Sequence, residues 1–310
     1  LVLSADVVVA NLPPPTLKAM RLDYDSLASI KRDIILTTSS AYGDGGPYAE
    51  RVGFDGVGQV MSGAVYMTGE PDQPYRAWVP WVDFGTALHC AFGTLAALMA
   101  RRETGKGQKV EGALLATAVT FTNAMLIEQA VIEANRVPSG NRGQTAAPVD
   151  LFRTRDGWII CQVVGAPLYR RWARLMGEPH WLDDPRFKDD LARGEHGAVL
   201  SERMRQWCGE RGTAEALDIL GREKIPAAKV LTPQEVLDDP QVRAMGFFEP
   251  LDYPGLRRAA PVAKAPVWLS GTPGAIRHRA PLLGEHTDAV MAELGYDRGA
   301  VAALRRKAVI

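Results

Sequence analysis

The stretch Trp78-Val79-Pro80-Trp81-Val82-Asp83-Phe84-Gly85 decides how this chain is read. A single carboxylate, Asp83, follows a short hydrophobic segment. From Ala87 to Ala100 nearly every residue is apolar or small. A helix that is apolar all round is expected to be buried. Arg101 and Arg102 suit its last turn, where cations complement the helix dipole, and Gly105 suits its stop. Asp83 is therefore expected at the N-terminal end of a buried helix. Two readings stay open on the residues alone. Asp is a preferred capping residue. It is also a candidate carboxylate nucleophile, held ionised by the helix terminus.

Upstream, Asp6-Val7-Val8-Val9-Ala10-Asn11 predicts a short buried parallel strand, ended by Asn11 and three prolines. Ligands of open α/β sheets bind beyond the carboxyl ends of the strands, which makes Asn11 a candidate contact; as a plain strand-ending turn residue it is equally well explained. Pro13 to Ile30 carries a helical pattern, and Asp33 to Ser40 predicts a second buried strand. The glycines Gly43, Gly45 and Gly46 then suit a tight loop that brings backbone near a ligand. The loop lacks the Gly-Lys-Ser/Thr ending of a P-loop.

Downstream, Val110 to Glu133 predicts a second long helix, and the polar segment 134–148, rich in Pro and Gly, reads as a linker and domain boundary. Val149 to Val164 predicts a hairpin turning at Asp156-Gly157. Helices are expected over 168–176, 199–207 and 214–220, a strand over 226–231, and a helical pair over 233–245 broken at Pro240. Arg186 and Arg193 read as a solvated face. Pro266-Val267-Trp268-Leu269 predicts a return strand, and 289–296 a helix capped by Thr287.

Composition narrows the partners. With 36 basic and 36 acidic residues, the chain has no electrostatic reason to bind nucleic acid or an anionic membrane. The apolar run at Ala87 contains Gly, Ala and His, which argues for a protein interior rather than a bilayer. Cys90, Cys161 and Cys208 lie far apart, which fits free thiols in a reducing cytoplasm. The five histidines show no metal-ligand spacing, so no metal is expected. The opening residues lack the basic region of a signal peptide.

Several short motifs occur in a fixed order: Gly53-Phe54-Asp55, Met61-Ser62-Gly63, Thr68-Gly69-Glu70-Pro71, Val82-Asp83, and Thr104-Gly105-Lys106-Gly107-Gln108. Pro281 to Thr287 and Glu293 to Tyr296 add a "P-x-LGEHT…ELGY" pattern. Each alone is weak. In this order they resemble the class III CoA-transferase family, which also holds carnitine CoA-transferase-like, bile-acid-inducible, formyl-CoA transferase and α-methylacyl-CoA racemase proteins. The resemblance runs from about Ala5 to Ile310. It implies an upstream segment, not in this sequence, that would carry the first β-α-β units, and weaker CoA binding without it.

The fold implied is α/β: a Rossmann-like large domain built from both chain ends, with a smaller inserted α+β domain. The divisions are 1–148, 149–255 and 256–310. The family forms an interlocked homodimer. The resemblance assigns Asp83 as the catalytic nucleophile, and Asn11, Leu12, Arg51, Val52, Gly53, Phe54 and Asp55 to coenzyme A. It implies CoA transfer from an acyl-CoA thioester to a small carboxylic acid. The racemase branch has a His where Phe54 stands, and a ring without ionisable nitrogen cannot exchange an α-proton. The run Gly140-Asn141-Arg142-Gly143 replaces the four glycines of some formyl-CoA transferases, so oxalate is not the expected acceptor. A racemase or isomerase and an inactive CoA-binding fragment are the alternatives.

Overall fold

A computed structural model describes residues 1–310. β1 (Val7–Ala10), β2 (Ile35–Ser40) and β3 (Lys109–Ala113) form a parallel sheet with β2 in the centre. Val8 pairs with Leu36, and Thr38 pairs with Glu111. Ile34, Ile35 and Leu36 are buried completely or nearly so, as a central parallel strand requires.

The connection from β1 to β2 holds two helices, α1 (Pro14–Ala19) and α2 (Tyr24–Ile30), where one pattern over 13–30 was expected. The break is local. Arg21 adopts φ 56°, and Asp23 caps α2 by accepting the Ser26 N–H at 3.2 Å. Between β2 and β3 lie α3 (Asp55–Met61), α4 (Ala64–Thr68) and α5 (Trp81–Thr104). After β3 comes α6 (Leu114–Ile132).

β3 corrects the sequence reading, which started a helix at Val110. Its residues show no apolar run, because its outward carboxylate and ammonium pair with each other: Lys109 Nζ lies 3.0 Å from Glu111 Oε2. The strand fits at Gly112, where a Cβ would come within 2.4 Å of Cys90 Sγ on α5. The preceding turn is equally tight. A Cβ on Gly107 would lie 1.9 Å from the Ile34 carbonyl oxygen.

α5 starts six residues before the apolar run and ends with Gly105 at φ 66°, whose N–H bonds the Arg101 carbonyl at 2.8 Å. The expectation that it would be wholly buried is not met. One stripe (Val82, Gly85, Thr86, Cys90, Ala97) faces the protein, while Leu88, Phe92 and Met99 are exposed. Arg101 anchors the far end, bonding Asp6 and the Asp33 carbonyl.

Beyond the linker, β4 (Val149–Arg153), β5 (Trp158–Gln162) and β6 (Ala227–Lys229) form an antiparallel sheet. α7 (Ala166–Leu175), α8 (Asp190–Glu195), α9 (Gly197–Gly209) and α10 (Thr213–Arg222) complete a core built on Phe152, Trp172, Phe187, Leu200 and Met204. Asp156, in the hairpin turn, accepts both N–H and Oγ1–H of Thr213 at 2.7 Å and so ties the turn to the start of α10. Arg193 is not on a solvated face: it is 1% exposed. Its guanidinium donates to the Phe187 carbonyl at 2.8 Å and to Asp190, and lies over the Tyr169 ring.

Contacts group the chain into two compact units, Leu1–Lys229 and Val230–Ile310. The second holds α11 (Pro233–Asp238), α12 (Pro240–Ala244), the antiparallel pair β7 (Phe248–Leu251) and β8 (Ala260–Ala263), α13 (Thr287–Glu293) and α14 (Arg298–Arg306). The expected division after Gly255 falls in the β7–β8 connection. The run 266–269 is not a strand. Pro266 supplies no N–H, and Val267, Trp268 and Leu269 are exposed with no strand beside them. The parallel sheet thus draws its strands from residues 7–113 only, and not from both chain ends. Thr287 opens α13, and His286 occupies the capping position without a side-chain bond.

Candidate active site

A cleft of about 880 Å³ opens at the carboxyl ends of β1 and β2. Ala10 and Asn11 form one side, Ser39 to Ala41 the floor, and Gly53 and Phe54 the lip. The wall is α5, through Asp83, Ala87, Cys90, Ala91, Thr94 and Leu95. This is where an open parallel sheet binds ligands. Asp83 is the only charged side chain in the lining.

Asp83 is the third residue of α5, and its side chain does not cap the helix. The cap comes from Asp55 on α3. Asp55 Oδ2 accepts the Val82 N–H at 2.8 Å and the Asp83 N–H at 3.2 Å. Gln59 Nε2 donates to Asp55 Oδ1 at 2.5 Å, and Gln59 Oε1 accepts the Ala77 N–H at 2.9 Å. The positive end of the helix is therefore spent on Asp55. Partial burial and then the Asp55 charge raise the Asp83 carboxyl above its ordinary value. This reverses the expectation that the helix terminus would hold Asp83 ionised. The surface of Asp83 remains open to solvent at the mouth of the cleft.

The structure brings Asn11, Gly53, Phe54 and Asp83 together around one cleft and leaves four expected residues outside its lining. Leu12 and Val52 are exposed beside it. Arg51 turns back over the Tyr48 ring at 4.0 Å. Asp55 is buried beneath α5. Gly53 is required by close approach, since a Cβ there would meet Ala41 Cβ at 2.9 Å.

Sequence reasoning missed the seam between wall and floor. Thr94 Oγ1 bonds Thr37 Oγ1 at 2.6 Å, Cys90 Sγ donates to the Thr38 carbonyl at 3.7 Å, and Thr86 Oγ1 bonds Thr117 Oγ1 at 2.8 Å. The signal was present: Thr86, Cys90 and Thr94 recur every four residues, one face of a helix. Cys90 is the one thiol in the cleft lining, beside the hydroxyls of Thr37, Thr38, Ser39, Ser40 and Thr94. Burial pushes its thiol up, which leaves it protonated and weak beside a carboxylate.

The family model for CoA-transferase family III matches residues 1–287. The chain belongs to that family. CoA-transferases of this family use CoA thioesters as substrates, and this chain is an enzyme of that type. It is 31% identical over 314 residues to succinyl-CoA–D-citramalate CoA-transferase of Chloroflexus aurantiacus, covering 100% of this chain and 78% of that protein. It is 31% identical over 303 residues to succinate–glutarate CoA-transferase of Agrobacterium fabrum, covering 95% of this chain and 74% of that protein. A crystal structure of a CaiB/BaiF family protein from Brucella suis superposes with a TM-score of 0.80 at 29% identity, over 94% of this chain and 76% of that one. The mixed α/β architecture with a parallel sheet matches that of the CaiB/BaiF family structure.

Proposed function

We propose that the chain transfers CoA from an acyl-CoA to a small carboxylic acid, with Asp83 as the nucleophile. The observation that carries this is the position of Asp83: it is the lone charged group in an otherwise neutral cleft at the carboxyl ends of the parallel strands. Its carboxylate attacks the thioester carbonyl. The C–S bond breaks, CoA leaves as thiolate, and an aspartyl mixed anhydride remains. The thiolate then attacks the aspartyl carbonyl of that anhydride, releasing the first acid and leaving an aspartyl-CoA thioester. The acceptor carboxylate repeats the two steps in reverse. A carboxylate suits this exchange because its acylated form stays activated, so every step reverses. A carboxyl raised above its ordinary value is also a more basic nucleophile, provided it is ionised at the working pH.

We read Asn11, Gly53 and Phe54, which line the cleft, as contacts of the thioester arm. In the loop 43–46 the N–H groups of Gly43 and Asp44 are already given to Ser40 Oγ and Glu111 Oε1, which leaves Gly45 and Gly46 as the candidate backbone donors for each tetrahedral oxyanion. The names of the two relatives make succinyl-CoA with a short dicarboxylate the first pair to test. As in the resemblance, we take the working form to be a homodimer, which the exposed apolar faces of α5 and α6 support.

The test is Asp83→Ala. Asp55 and not Asp83 caps α5, so the variant is expected to fold, at a cost of about 0.3–1 kcal/mol for the lost first-turn carboxylate. Transfer should fall by several orders of magnitude. Mass spectrometry of the wild type with acyl-CoA should find the acyl or CoA adduct on Asp83. Turnover of the variant within tenfold of wild type rules the assignment out, and no adduct on an active enzyme does the same.

A further inference from the structure

Asp55 follows Phe54 at the lip, yet its side chain does not enter the cleft. It is 7% exposed and lies under the first turn of α5. The packing that puts it there is tight. Gly58, one turn later on α3, would place a Cβ 2.8 Å from Val82 Cγ1, so only glycine lets α3 approach so closely. Asp55, Gly58 and Gln59 are spaced to share one face of α3, and that face meets residues 77–83. Each polar atom on it has a partner there. Asp55 accepts the N–H groups of both Val82 and Asp83. Gln59 bridges Asp55 to the Ala77 N–H, tying down the extended segment that leads into the helix.

We propose that Asp55 is the positioning residue for Asp83, holding the first turn of α5 so that the nucleophile projects into the cleft, with Gln59 bracing it from behind. This rests on the reading of Asp83 as nucleophile. The arrangement has an electrostatic consequence beyond anchoring. A cap made by a carboxylate sets a negative charge behind the nucleophile, where a serine or asparagine cap would set none. One cation stands on the segment that Gln59 holds: Arg76, whose guanidinium donates to the Ala77 carbonyl at 3.1 Å. β2 is neutral, α6 meets this end of α5 through Thr117 and Phe121, and on β3 Lys109 and Glu111 pair with each other and with Asp44. On α5 itself the nearest titratable groups are His89 and Cys90.

The experiment compares Asp55→Asn, Asp55→Ala and Asp83→Ala in the full chain. It reads kcat and KM against pH with succinyl-CoA and a short dicarboxylate, and amide hydrogen exchange at residues 81–86. Asp55→Asn keeps an acceptor for the helix N–H groups and removes the charge. It should retain the fold and most of KM, and the acid limb of its kcat/KM profile should move to lower pH. Asp55→Ala removes the acceptor as well. Exchange at Val82 and Asp83 should then rise at least tenfold, and kcat should fall at least tenfold further than in Asp55→Asn. A purely structural role would lower stability in both variants without moving the acid limb. An unmoved acid limb in a folded, active Asp55→Asn, or wild-type kcat in Asp55→Ala, overturns the proposal. The Asp83→Ala arm separates the two readings: if it stays active, the nucleophile assignment has failed; if it is dead while both Asp55 variants behave as wild type, only the positioning role has failed.

Discussion

Phe54 stands at the lip of the cleft, 83% exposed, on the same opening as Asp83. An acid/base partner across the substrate α-carbon would have to come from such a position, and a phenyl ring has no proton to exchange. The enzyme is therefore expected not to epimerise 2-methylacyl-CoA esters. Incubation in D₂O, followed by NMR of the α-carbon, should show the proton retained over many transfer turnovers. Enzyme-dependent deuterium uptake would contradict this. Phe54 and Asp83 were legible because short motifs flank them. The partner of Asp83 was not: Asp55 lies 28 residues earlier, and nothing local to either residue says that one caps the helix of the other.

Among the elements, the hairpin β4–β5 and the helices α7, α9 and α10 followed the sequence pattern closely, because the hairpin carries its own turn signal at Asp156-Gly157 and the helices their own apolar period. Failures came where burial depends on what packs against an element. β3 reads as helix until Gly112 is seen to admit Cys90. Arg193 reads as surface until α8 is seen to press it against Tyr169. That last arrangement predicts a stability defect. Asp190 feels a desolvation that would raise its carboxyl, but the Arg193 hydrogen bond, the Gly165 N–H and the Arg193 charge outweigh it, and the value is lowered. A carboxyl lowered in the folded state stabilises above its unfolded value, and that share is lost as pH falls through the folded one. Asp190→Ala strands a guanidinium that is 2% exposed and already has an unpartnered Nε. It should cost about 1.5–3 kcal/mol at neutral pH, the range for hydrogen bonds to charged groups. Urea unfolding should show the gap between wild type and variant narrowing as pH falls through the acid range. A gap that is constant with pH would assign the loss to packing alone.

At the scale of the whole molecule, the parallel sheet is covered by helices whose outer faces lack partners. On α5, Phe84, Leu88, Phe92 and Met99 are 61%, 69%, 75% and 68% exposed and recur at spacings of four and seven. That is one apolar stripe along a helix of 24 residues, and α6 adds Ile127, Val131 and Ile132. Both helices are long and apolar enough to cross a membrane by length and composition. The inner face of α5 argues otherwise, since Thr86, Cys90, Thr94 and Arg101 are bonded into α6 and the strand segments beside it. A stripe of this kind on a water-facing surface marks an association site. A formal net charge of zero sets no long-range repulsion against a second copy. The chain is therefore expected to be a dimer at micromolar concentration by light scattering. Leu88→Glu with Phe92→Glu should shift it towards monomer, because burying two carboxylates in an apolar interface costs far more than leaving them in water. Neither residue lines the cleft, so any activity lost with the dimer reports assembly and not damage to the site. A monomeric wild type, or flotation of the wild type with neutral lipid vesicles, would assign the stripe to something other than a second copy.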